Sequence, residues 1–146
     1  MKLAWLLWLS SMLPPAQADQ ICLATTVYLE ARDQPMLGQR AVAEVALRRL
    51  DTGRHGDSVC AVVRAPGQFA PSLVPAGYKL DDPAAFAIAS QVAERALSDW
   101  ALPPRMRRQV VPGAKYFIAY ANTSPAWVRG DPVATIGAHA FYSEAF

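Results

Sequence analysis

The stretch Cys22-Leu-Ala-Thr-Thr-Val-Tyr-Leu-Glu30-Ala-Arg-Asp-Gln-Pro35 constrains this chain more than any other, because it is mostly apolar, carries Glu30 among its hydrophobic residues, and is closed by a proline. The spacing predicts a helix. Pro35 disfavours the α conformation at Gln34, so the helix is expected to stop near Asp33 and to leave Glu30 in its last turn. Cys22, Thr26, Glu30 and Asp33 then share one stripe, surrounded by Leu23, Ala24, Val27, Tyr28, Leu29 and Ala31. Three influences would favour the protonated form of Glu30: apolar neighbours, the free carbonyls at the helix end, and Asp33. A glutamate that keeps its proton near neutral pH is what general-acid chemistry requires. The plain alternative is that Glu30, like most helical glutamates, is a solvated surface residue.

The 146-residue chain has a formal net charge of +2. Lys2, the apolar run Leu3 to Leu13, Pro14-Pro15 and Ala16-Gln17-Ala18 have the charged start, short apolar core and small-residue cleavage site of a secretory signal peptide. The apolar run is too short to span a bilayer, so no stable membrane span is expected. Residues 1–18 are read as the leader and residues 19–146 as one domain, long enough for a single core. Near-neutral charge argues against nucleic acid as a partner, since that affinity comes from many phosphate contacts. The one basic cluster, Arg105-Met-Arg107-Arg108, reads either as a solvated loop or as a contact for carboxylates on a polymeric substrate. Two cysteines in an exported chain favour a disulfide between Cys22 and Cys60, worth up to roughly 4 kcal/mol on the loop-entropy argument. That bridge is expected to pin the Glu30 helix at its start.

Beyond Pro35, Ala41, Val42, Val45, Ala46 and Leu50 form a helical face that Gly53 ends. Ser58 is placed to cap a short helix through Val63. Gln68-Phe69 opens an irregular passage to Leu80, long enough to be read as a substrate-side loop. Asp82-Pro83 starts a helix to about Trp100, with Phe86, Ala89, Ala93, Ala96, Leu97 and Trp100 inward. Two strand-like runs, 115–120 and 134–142, close the chain. Helices followed by a small antiparallel sheet define an α+β class.

The chemistry available is narrow. Only His55 and His139 accompany the cysteines, and no pair has zinc spacing, so neither a metal nor a cofactor is expected. Neither a nucleophile elbow nor a phosphate-binding glycine pattern occurs. Carboxylate chemistry remains. Glu30 and Asp33 lie one turn apart on the same helix, so a sugar cannot easily pass between them as in a two-carboxylate glycosidase. One acid suffices when the substrate supplies its own nucleophile, as the 6-hydroxyl of muramic acid does in lytic transglycosylation. Flat aromatic side chains grip sugars, and Phe69, Tyr78, Tyr116, Tyr120, Trp127, Phe141 and Tyr142 are available, with Tyr116 and Trp127 the favoured wall residues. Gln68 is either a loop polar residue or a donor to an acetamido group. His139 is either a strand histidine or part of the site.

The ordered set Leu-Glu30-Ala-Arg32, Gly38-Gln39-Arg-Ala41-Val42-Ala43, Val59-Cys60-Ala-Val62-Val63, Gln68-Phe69, Gly113-Ala114-x-Tyr116-Phe117, Pro125-Ala-Trp127 and Ile136-Gly137-x-His139-x-Phe141-Tyr142 resembles the SleB-type cell wall hydrolases. These include spore-cortex lytic enzymes and related exported bacterial and phage proteins. The resemblance implies a lysozyme-like or transglycosylase-like α+β domain, acting as a monomer on the glycan strand of peptidoglycan. It makes Glu30, in the Glu-Ala-Arg motif, the acid. Gln68, Phe69, Tyr116, Trp127, His139 and Tyr142 are the expected substrate-binding residues. The chain departs from the family pattern at Gln34, where a second glutamate is common, at Arg48, which replaces an asparagine, and at Ala70, which replaces a serine. If that asparagine orders the Glu30 loop, activity is weakened or lost here. A non-catalytic peptidoglycan-binding protein is therefore the alternative, and a structural or inhibitory exported protein a third reading.

Overall fold

A computed structural model of the protein describes residues 1–119, 128 and 130–143. Its elements are α1 (Leu3–Ser11), α2 (Pro15–Ala31), α3 (Met36–Thr52), α4 (Val59–Arg64), α5 (Ala70–Leu73), α6 (Pro83–Trp100), β1 (Tyr116–Ala119), β2 (Ala134–Ile136) and β3 (His139–Tyr142). Helices precede the sheet, as the patterning predicts, and the class is α+β. The caps follow local chemistry. Ser58 Oγ accepts from the Ala61 N–H at 3.1 Å, and Asp82 Oδ1 accepts from the Ala85 N–H at 3.0 Å. Gly53 ends α3 with φ +69, a left-handed conformation that glycine adopts without steric cost.

The helix α2 is the hub, packing against α1, α3, α4, α5 and α6. Its run Cys22 to Tyr28 is buried without interruption. A stretch buried all round must be covered on every side, which is why this run carries no charged residue. The disulfide Cys22–Cys60 joins α2 to α4 across a Cα–Cα distance of 5.2 Å. Because α2 begins at Pro15, that bridge holds the helix in its interior rather than at its start, about two turns before Glu30.

Two further differences from the sequence reading have local causes. The run 134–142 is two strands folded on each other: Ile136 pairs with His139 across Gly137-Ala138, and the sheet order is β1-β3-β2, all antiparallel. Gly137 has φ +56, a left-handed conformation that favours glycine, and a Cβ there would lie 2.2 Å from Gln34 Oε1, so a side chain would also displace that amide. The passage 68–80 is not wholly irregular, because it contains the single turn α5. At the other end of the chain, Leu3 and Leu6 of α1 face the core, the Leu3 N–H donates to Tyr78 O, and the Leu80 N–H donates to Met1 O, both at 2.8 Å. The boundary expected after Ala18 falls within the first turn of α2. Among the described residues, no helix is long and apolar enough to cross a membrane.

The loop between α6 and β1 is held by a buried charge that the sequence did not single out. Glu44 of α3 is fully buried; its oxygens accept from the Val110 and Val111 N–H groups at 2.8–3.0 Å, and Arg40 Nε pairs with it at 3.0 Å. Arg40 also pairs with Asp99 of α6 at 2.8 Å. Burying a carboxylate is costly unless donors surround it, as they do here. Replacing Glu44 with Ala leaves two backbone N–H groups and Arg40 Nε without their acceptor, while Arg40 keeps Asp99. Urea unfolding is expected to show a loss of about 3–5 kcal/mol, and a loss below about 1 kcal/mol would show that the network is not holding the loop.

Candidate active site

The last turn of α2 brings Glu30 to a cleft of about 400 Å³ lined also by Arg49 of α3, Gly67, Gln68, Leu73, Tyr116 and Phe117. Each wall has a structural origin. Pro35 breaks the chain after α2, so α3 turns back beside it and delivers Arg49. The segment before α5 delivers Gln68, and β1 delivers Tyr116 and Phe117. One oxygen of Glu30, Oε1, accepts from the Ala70 N–H at 2.6 Å, at the first residue of α5. Among the described residues, its second oxygen receives no hydrogen bond, so it is the oxygen available to carry a proton.

Burial pushes the Glu30 carboxyl above the usual carboxylate range, while the Ala70 N–H and the positive charge of Arg49 pull it back down. Removal of the carboxyl from water dominates. The apolar surroundings expected from the sequence are thus the operative cause; Asp33 is not among the influences, and Arg49, which opposes them, was not anticipated.

Arg49 is tightly fixed. Its guanidinium lies 4.7 Å from the Phe69 ring centre and 4.9 Å from that of Tyr116. Nε donates to Lys115 O at 2.7 Å and Nη1 to Gln68 Oε1 at 2.9 Å. One side chain therefore ties α3, the 68–70 segment and β1 together around the cleft.

The residues expected at the site divide into groups. Gln68 and Tyr116 line the cleft with Glu30. Phe69 is buried behind it, 1% exposed, beneath the Arg49 guanidinium. His139 and Tyr142 are also buried, in β3, where His139 packs edge-on to Phe117 and Phe141. Burial lowers the affinity of His139 for a proton, against the pull of Asp33, which keeps the ring neutral at neutral pH. Among the described residues its Nδ1 has no hydrogen-bond partner. Trp127 and Tyr120 lie outside the described residues. Arg49 and Phe117 are cleft residues that the sequence reading did not propose, since an arginine in the last turn of a helix and a phenylalanine in a strand are ordinary features.

The departures from the family pattern have structural explanations. Arg48 points away from Glu30: it donates to Ala114 O and, at 2.7 Å, to Gln109 Oε1, and lies over the Trp100 ring. It serves the same loop as Glu44, not the Glu30 segment. Gln34 Oε1 accepts from the Ala138 N–H at 2.7 Å and fixes the β2–β3 turn to the α2–α3 corner, a bond that a glutamate would make equally. At residue 70 the backbone N–H does the work, which alanine supplies as well as serine. The basic cluster is partly consumed within the fold, with Arg107 paired to Asp51 at 2.8 Å and stacked on Trp100.

A larger groove of about 930 Å³ runs between α3 and α6. Its Arg40 and Asp99 are spent on each other, and Glu94 there is exposed, so it holds no protected acid. Among the described residues there is no cluster of metal-ligating side chains.

A helical domain with a three-stranded sheet that sets a half-buried glutamate beside an aromatic-walled cleft has a lysozyme-like α+β build. The chain belongs to the cell wall hydrolase family, which it matches over residues 33–142. It is similar to the crystal structure of the catalytic domain of the Bacillus cereus SleB protein, at 26% identity, with a TM-score of 0.65 over 86% of this chain and 89% of that one. The membership is of the SleB type, and with it comes a role in degrading peptidoglycan. No curated protein matches the chain. The family match begins three residues after Glu30, so the case for that residue rests on its surroundings.

Those surroundings set a pH dependence of stability. A carboxyl whose folded proton affinity exceeds its unfolded one makes the native state bind more protons, so stability falls as pH rises through that interval. Glu30→Gln keeps an acceptor for the Ala70 N–H and carries no charge. Urea unfolding is expected to find the variant more stable than the parent at pH 8 but not below about pH 4; a difference independent of pH would contradict the burial of Glu30.

Proposed function

We propose that the protein is an exported enzyme that cuts the glycan strand of peptidoglycan between N-acetylmuramic acid and N-acetylglucosamine, with Glu30 as general acid and then base. The observation that carries this reading is the state of Glu30: half-buried at the cleft, fixed through one oxygen by the Ala70 N–H, with no hydrogen bond to the other among the described residues. Glu30 gives its proton to the glycosidic oxygen as the bond from C1 breaks, and the charge left on the carboxylate faces Arg49. Glu30 then takes a proton from the attacking oxygen. Among the described residues it is the one carboxylate lining the cleft. That supports a reaction in which the nucleophile comes from the substrate: the muramic 6-hydroxyl attacks C1, loses its proton to Glu30 and closes a 1,6-anhydro ring. Attack by water gives hydrolysis instead, with the same residue in the same two roles.

Export is supported by the leader-like start and by a disulfide, which forms and persists in oxidising compartments. Release after Ala18 would remove α1 and the first turn of α2, and leave a chain that begins with Asp19, whose Oδ1 accepts from the Val59 N–H at 3.1 Å at the start of α4.

Two measurements test the proposal. Glu30→Gln is expected to lower release of soluble fragments from purified sacculi by roughly 10²–10⁴-fold while the fold is kept; unchanged release removes Glu30 from the mechanism. Mass spectrometry of the wild-type digest is expected to find anhydromuramic ends. Reducing ends would assign hydrolysis, and binding to sacculi with no soluble product would assign the non-catalytic alternative. For export, the intact mass of the protein recovered outside the cytoplasmic membrane is expected to match a chain starting at Asp19, and a full-length mass would contradict cleavage there.

A further inference from the structure

Resting on the reading of Glu30 as acid and base, we infer that Arg49 is a positioning residue that acts on the reaction through Glu30. Locked beside it by two aromatic rings, Arg49 stabilises the carboxylate that remains once the proton has passed to the leaving oxygen. Its own contacts are the basis. A cation on a long, flexible side chain ordinarily drifts toward solvent, but here the Phe69 and Tyr116 rings hold the guanidinium at 4.7 and 4.9 Å, and Lys115 O and Gln68 Oε1 fix its plane. Arg49 has no carboxylate within salt-bridge distance among the described residues, so its charge is not neutralised by a partner as those of Arg40 and Arg107 are.

Few other charges compete. β1 contributes Tyr116, and α5 contributes the Ala70 N–H and no charged side chain. Arg32 and Asp33 follow Glu30 on its own segment, both exposed, with Arg32 bound to Tyr28 Oη at 2.6 Å. His139 of β3 is buried and feels the charge of Asp33. Arg49 lines the same cleft as Glu30 and is the cation that acts on its carboxyl. A general acid that must next serve as base needs its two protonation states close in energy. Burial alone would favour the neutral form too strongly, and a fixed cation offsets part of that bias.

The test uses two neutral variants, Arg49→Met and Arg49→Gln, and one that keeps the charge, Arg49→Lys. Carbon-13 NMR titration of the Glu30 carboxyl and the pH profile of fragment release are followed together. Each neutral variant that folds is expected to titrate Glu30 higher by about half a pH unit or more, with the alkaline limb of the profile moving up by the same amount; Arg49→Lys is expected to leave both in place. A neutral variant with an unmoved titration, or a lysine variant shifted as far as the neutral ones, overturns the inference. The unmutated protein gives a second readout: the Arg49 Nε–H resonance should follow the Glu30 titration and lose that step in Glu30→Gln. An Arg49 signal indifferent to Glu30 overturns the inference even if no neutral variant folds. Failure of the underlying enzyme reading is separate, since it shows as fragment release by Glu30→Gln whatever the titrations do.

Discussion

The contact between Glu30 Oε1 and the Ala70 N–H is the interaction on which the rest of this structure turns. It is made possible by α2, whose run Cys22 to Tyr28 is buried without a break and leads into the last turn, where Glu30 stands. The bond satisfies one oxygen and fixes α5 against α2. It leaves the other oxygen facing a cleft whose walls are Gln68, Tyr116 and Phe117. Taking a carboxyl out of water costs free energy, and the structure offsets only part of that cost with one N–H and one nearby cation. The remainder is expressed as proton affinity, which is the property that acid catalysis on a glycosidic oxygen uses.

Two adjacent arginines show how helix geometry divides structural from functional work. Successive residues on an α-helix point about 100° apart, so Arg48 and Arg49 leave α3 toward different neighbours. Arg48 turns to Gln109, Ala114 and Trp100, where with Glu44 it holds the α6–β1 loop. Arg49 turns to Phe69, Tyr116 and Gln68, at the cleft. Burial pushes both toward easier loss of their proton; Glu44 and Asp51 oppose this at Arg48, and Tyr116 and Glu30 at Arg49. The replacement of asparagine by arginine at position 48 therefore bears on the loop and not on the acid.

Much of the helical half was legible in the sequence because its signals are local. Pro35, Gly53, Ser58 and Asp82-Pro83 each act within a turn of the boundary they set, and the apolar spacing of α6 needs no partner to be read. The Cys22–Cys60 pairing followed from number and compartment, though its position within α2 did not, since Pro15 starts that helix well before the leader boundary that the sequence implied. The β2–β3 turn was hidden because Ile-Gly-Ala-His has no Asn-Gly or Asp-Gly signature, and the residue that holds the turn in place, Gln34, is remote in sequence. Glu30 was legible as an acid set in an apolar helix; Arg49, Phe117 and Glu44 were not, because what distinguishes them is the set of long-range partners each meets. The aromatic residues show the same limit. Periodicity does not separate Tyr116, on the cleft, from Phe69, sealed behind it.

The central claim is that a sugar strand lies in the Glu30 cleft with its scissile oxygen at the free side of that carboxyl. A crystal structure of the Glu30→Gln variant soaked with a short peptidoglycan glycan tests this most directly. The account predicts a glycosidic oxygen within hydrogen-bond distance of the amide at residue 30, with sugar rings against Tyr116 and Phe117. A glycan seated instead in the groove between α3 and α6, with the Glu30 cleft empty, would contradict it.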